Sequence, residues 1–153
     1  MARDLPAAPI TAPAAWRGED MAANPDIWLK HLSAADIAEL ESAAKSFLES
    51  GGDIGEMTAR DFPLPTLGTR LVELRDTLIN GRGFEVLRGL PVVGYTQELQ
   101  AAIFCGVGAH LGKARSQNAM GHMLGHVRDV GAAASNPNTR IYQTSQRQTF
   151  HTD

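Results

Sequence analysis

His151 and Asp153 are the residues whose types and spacing most directly suggest chemistry. In a strand, side chains at i and i+2 leave the same face. An H-x-D pair on a strand therefore aims an imidazole nitrogen and a carboxylate oxygen at one point. These are two of the three ligands of a 2-His-1-carboxylate facial triad, the donor set of non-haem Fe(II) oxygenases. Three ligands on one face leave three adjoining positions open for a bidentate co-substrate and dioxygen. The pattern is short and arises by chance in many proteins, so its weight depends on the sequence around it.

A second metal arrangement stays open. His122 and His126 are four apart in GHMLGH, and with His151 and Asp153 they would make a zinc-like site. The plainer role for both is an ordinary hydrogen-bonded histidine. His110 ends an apolar helical face and reads as structural, and His31, just before a helix cap, reads as exposed. Cys105 is the only cysteine, so no internal disulfide forms. Its default role is that of a buried, inert thiol. Gln117, Asn118, Gln143 and Arg147 are polar residues near the H-x-D region, each with solvation as its simplest role.

These groups need elements to position them. Residues 1–15, MARDLPAAPITAPAA, have no continuous apolar core of a secretory signal and read as an extended Ala/Pro-rich arm. Trp16 and Trp28 are placed to dock that arm onto the body, with core packing rather than ligand contact as the expected role of both. Ser33, with Asp36 three residues on, predicts the N-cap of a helix carrying Ile37, Leu40, Ala44, Phe47 and Leu48. Gly51 and Gly52 end it. A second helix follows Pro65, with Leu67, Leu71, Leu74 and Leu78 on one face and Gly81 past its end. GFEVLR at 83–88 alternates as a strand and stops at Gly89 and Pro91. Thr96 caps a third helix carrying Leu99, Ile103, Phe104, Val107 and Leu111. Glycines inside that helix cost stability unless close packing needs them. Two more strands are expected, Leu124 to Val130 and RIYQTS at 140–145. The sum is an α+β order with the sheet towards the end of the chain.

Composition narrows the class. The chain has 153 residues, 43% hydrophobic and 20% charged, as a globular protein does. Much of the apolar content is Ala, so the core should be modest. No apolar run reaches the length of a membrane helix. Residues 1–81 carry 7 basic and 13 acidic side chains, and residues 82–153 carry 7 and 4. The mildly positive second half suits a small anionic ligand, or is simply a solvated Arg-rich surface. No Lys/Arg cluster supports nucleic-acid binding.

Several pieces, in order, resemble a known family. They are WRGEDMAANPDIWLKHLSAADIAEL at 16–40, GFEVLRGLPV at 83–92, GVGAHLGKARSQN at 106–118, GHVRDVG at 125–131 and IYQTSQRQTFHTD at 141–153. Together they are similar to the taurine dioxygenase (TauD/TfdA-like) family of Fe(II)- and 2-oxoglutarate-dependent oxygenases. The resemblance implies a double-stranded β-helix, or jelly roll, with helices packed on it. It implies that His151 and Asp153 are the first two iron ligands. It implies Fe(II) as cofactor, 2-oxoglutarate as co-substrate and hydroxylation of an unactivated C–H bond, with succinate and CO2 as co-products.

The family's third ligand, a His, and the Arg that holds 2-oxoglutarate lie far downstream of the H-x-D pair. Neither has a counterpart here. The expected organisation is an arm over 1–15 and, over 16–153, the N-terminal part of a dioxygenase domain truncated after the H-x-D motif, with an incomplete jelly roll. Such a fragment is expected to bind metal weakly or not at all, and not to turn over. The expected partners are a small-molecule substrate and dioxygen, with no nucleic acid and no membrane. A homo-oligomer stays open, and the expected location is cytoplasmic. The alternative reading is a non-catalytic remnant or interaction module without metal chemistry.

Overall fold

The chain begins its described structure with a turn. Ala15 N–H donates to the Ala12 carbonyl at 2.8 Å, with Pro13 at the position whose fixed φ favours such a turn. The structure is a computed structural model, and it describes residues 11–118, 120–125, 127–131, 139 and 141–147. It divides into two units, Met1–Ala114 and Arg115–Asp153.

In the first unit, a short helix α1 (Gly18–Ala23) and a 3₁₀ turn (Pro25–Ile27) lead into strand β1 (Leu29–His31). Neither α1 nor β1 was expected from the sequence. Helix α2 (Ala34–Glu49) then starts on a capping box, as the sequence predicts. Asp36 N–H donates to Ser33 Oγ at 3.1 Å, and Ser33 N–H donates to Asp36 Oδ2 at 2.8 Å. Gly51, with φ of +71°, turns the chain away after the helix.

Helix α3 (Leu67–Asn80) lacks a side-chain cap of its own. Glu39 of α2 supplies one instead. Its two carboxylate oxygens accept from Thr66 N–H at 2.7 Å and Leu67 N–H at 3.1 Å. A carboxylate here satisfies orphan donors and complements the positive helix end. Arg70 on α3 reaches back to Asp36 at 3.1 Å, which joins the two helix starts.

Strand β2 (Val86–Arg88) pairs parallel with β1, in the register Leu29–Val86, Lys30–Leu87 and His31–Arg88. Helix α4 (Gln97–Leu111) begins where Thr96 Oγ1 accepts from Leu99 N–H at 3.2 Å. Tyr95, just before it, donates its hydroxyl to Glu41 on α2. Burial, with this bond, pushes the Tyr95 phenol up to about 12.

The core lies between α2, α3 and α4. Leu40, Ala44, Leu67, Leu71, Ala102 and Ile103 are buried there around Phe62, a loop residue with no exposed surface. Gly106 on α4 explains its own presence. A Cβ there would meet the Phe62 ring at 2.5 Å, so the helix tolerates a glycine because the ring needs its space. Phe104 departs from expectation. It is 70% exposed, because Ala102, Ile103 and Gly106 set the buried side of α4.

The two tryptophans do tie the early chain to the body. Trp16 Nε1–H donates to the Arg82 carbonyl at 3.0 Å, and Trp28 Nε1–H to that of Met21 at 2.8 Å. Their rings lie 4.9 and 5.9 Å from that of Phe84. Trp16 stays 45% exposed, so this is an aromatic patch at the surface rather than core.

The second unit corrects two sequence expectations. The described residues of 124–130 form no strand. Val127 and Val130, three apart, cannot share a strand face, and both are exposed. Asp129 Oδ1 accepts from Gly131 N–H at 2.8 Å and bends the chain there. Likewise Ile141–Gln143 is a 3₁₀ turn, not part of a strand. Thr144 closes it, with both N–H (3.0 Å) and hydroxyl (2.8 Å) donating to the Ile141 carbonyl. A local Thr hydroxyl bond competes with a strand ladder. These elements do not display the jelly roll implied by the resemblance, which stays an expectation.

Candidate metal centre

His151 and Asp153 lie outside the described residues, and so does His126. What the structure does describe is the chain leading towards them. Asn118 organises the first part of it. Its Oδ1 accepts from Met120 N–H at 3.0 Å and from His122 N–H at 3.2 Å. That fixes the amide so that Nδ2 faces His122 Nδ1 at 3.0 Å and donates to it. His122 is thereby held as the tautomer with its proton on Nε2. The bond from Gln117 N–H to the His122 carbonyl, at 2.7 Å, closes the same loop. Asn118 and His122 were each singled out in the sequence, but their link was not. It is an Asx-type turn whose local signal is an Asn followed by a glycine three positions on, Gly121.

A backbone bond from Val130 N–H to the Gln143 carbonyl, at 3.0 Å, ties in the second described stretch. Gln117 and Arg147 are exposed, which matches the solvated roles expected of them. Among the described residues no group of three His, Cys, Asp or Glu side chains is placed to hold a metal. Both metal arrangements read from the sequence depend on residues outside that set, so the four-residue zinc-like alternative keeps its standing beside the H-x-D pair.

The remaining candidates resolve simply. His110 donates through Nε2 to the Phe62 carbonyl at 2.8 Å, the structural role expected for it. His31 is exposed in β1. Cys105 is half-buried rather than buried, and burial pushes its thiol up from the ordinary value. A thiol shifted that way is a poor nucleophile at neutral pH. No helix among the described residues is long and apolar enough to cross a membrane.

Two curated proteins align with most of this chain. FR-33289 synthase of Streptomyces rubellomurinus is 30% identical over 146 residues, which is 95% of this chain and 43% of that protein. A taurine hydroxylase-like protein of Stachybotrys chartarum is 33% identical over 116 residues, 75% of this chain and 30% of its own length. The resemblance to the taurine dioxygenase family is borne out. The chain spans less than half the length of either taurine hydroxylase-like or synthase relative. No family model matches it.

Proposed function

We propose that this chain carries the first two metal ligands of an Fe(II)- and 2-oxoglutarate-dependent oxygenase that hydroxylates a small organic substrate. The observation that carries this reading is the 95% coverage of the chain by similarity to an enzyme of which it spans 43%. The printed name of the second relative, taurine hydroxylase-like, supports the reaction class.

The donor set fits the metal. A neutral imidazole and a carboxylate are the borderline and hard donors that Fe(II) accepts in a facial triad. His151 would offer a ring nitrogen, and Asp153 would offer an anionic oxygen that offsets part of the metal charge. When bound, Fe(II) with 2-oxoglutarate would supply the electrons that activate dioxygen for C–H hydroxylation. Both side chains must be deprotonated to bind, so affinity falls as pH drops through the histidine range. The third imidazole and the Arg for 2-oxoglutarate have no counterpart in the 153 residues. Two donors without a third bind weakly, and the chain by itself does not turn over.

The test is an anaerobic titration of the chain with Fe(II), followed by 2-oxoglutarate. Weak Fe(II) binding is expected, reduced about tenfold or more by His151→Ala, each tenfold step being about 1.4 kcal/mol. No visible charge-transfer band should follow 2-oxoglutarate. Binding that His151→Ala leaves unchanged would overturn the assignment. A strong band would overturn the conclusion that two ligands are too few.

A further inference from the structure

The first unit contains a cleft of about 280 Å³ between α3 and the segment from the Pro25–Ile27 turn into β1. Lys30, Arg70 and Arg82 line it, together with Glu73, Glu85 and Thr77, over an apolar patch from Ile27 and Leu74. Residues 1–114 carry more acidic than basic side chains, so three cations converging on one cleft run against the composition around them.

Pairing within the cleft sorts these charges. Arg70 is held by Asp36, and its Nη2 also faces the His31 carbonyl at 3.4 Å. Arg82 is held by Glu85. Those two pairs are internally neutral. Lys30 donates to a neutral group, the Asp26 carbonyl, and has no ion-pair partner among the described residues. Glu73 is exposed and has no ion-pair partner among the described residues. One free positive and one free negative charge therefore remain on the walls of a small cavity.

We infer that this cleft binds a small zwitterion, a compact aliphatic amino acid. Its carboxylate is received on the Lys30 side and its ammonium on the Glu73 side. Arg70 and Arg82 are already held by Asp36 and Glu85, so they offer donors without a large entropic cost of ordering. A simple anion leaves Glu73 opposed, and a simple cation leaves Lys30 opposed. The dipolar ligand satisfies both. The cleft lies wholly within Met1–Ala114, and the inference does not rest on the oxygenase reading.

The test follows backbone amide shifts of the ¹⁵N-labelled chain during titration with glycine, β-alanine and γ-aminobutyrate, a series that varies the charge spacing. Acetate and ethylammonium serve as single-charge probes. At least one amino acid should give saturable shifts at Thr77, Arg82 and Glu85. The single-charge probes should bind about tenfold more weakly. Lys30→Gln and Glu73→Gln, both at solvent-accessible positions, should each weaken the amino acid about tenfold with the spectrum otherwise intact. Acetate binding as tightly as the amino acids would overturn the dipolar assignment. So would the absence of saturable shifts with every member of the series, or binding indifferent to Glu73→Gln.

Discussion

Asp36 does two jobs with one carboxylate. It closes the capping box of α2 and pairs with Arg70 of α3. The Ser33 backbone N–H, first among several causes, holds its carboxyl below the ordinary 3.8 against the opposing cost of burial, with the Ser33 hydroxyl and Arg70 adding to the lowering. A depressed folded value means that the unfolded chain takes up a proton first as pH falls. The contribution is therefore full above the ordinary carboxylate range and is lost as pH drops through the folded value. Asp36→Asn should flatten the acid limb of thermal stability below about pH 5, as read by circular dichroism melts at stepped pH. Ser33→Ala should cost about 1 kcal/mol at neutral pH. Ser33 and Asp36 were legible in the sequence because a capping box is local, its two members three residues apart. Phe62 was not. It sits in a loop between an aspartate and a proline, and only the convergence of three helices makes it the centre of the core.

At the scale of elements, the three main helices were legible from apolar spacing and caps, whereas the start of α3 depends on a distant residue. Glu39 lies 27 residues before the amide it caps, so no local pattern announces it. Glu39→Gln keeps an acceptor but removes the charge at the helix end. It should destabilise by about 0.5 kcal/mol, and Glu39→Ala by about 1 kcal/mol, measured by urea denaturation with an unchanged slope. Gly106→Ala offers a sharper test of helix packing. Propensity alone would favour alanine by about 1 kcal/mol. The Phe62 ring at 2.5 Å from the added carbon should reverse that sign and cost about 1–3 kcal/mol. A stabilised Gly106→Ala protein would contradict the packing described for α4.

Strands were read less well than helices, for physical reasons. β1 has three residues and exists through its pairing with β2, far along the chain. Short alternation cannot reveal a partner at that distance. The opposite error occurred near the end, where the apolar residues of LGHVRDV and RIYQTS suggested strands. Asp129 and Thr144 instead spend their side chains on local turns. Side-chain competition of this kind is visible in residue type: Asp129 has Gly131 two positions on and Thr144 stands beside Ser145, and both patterns disfavour a strand.

Over the whole molecule, the account joins a helical unit with a small parallel sheet to a second unit that carries the H-x-D sequence. The donor types were legible in His151 and Asp153, but a pattern this short takes its weight from the pieces of sequence around it. The proposed jelly roll and the reaction follow from likeness to longer proteins. The central claim is that His151 and Asp153 are metal ligands, and Mn(II) tests it as a dioxygen-stable ion that accepts the same nitrogen and oxygen donors. The measurement is paramagnetic broadening of the imidazole signals of the chain's five histidines during Mn(II) titration. The account predicts that His151 broadens first and that Asp153→Asn shifts this to higher Mn(II). Broadening that begins at His122 and His126 and ignores Asp153→Asn, or that spreads evenly over all five, would contradict it.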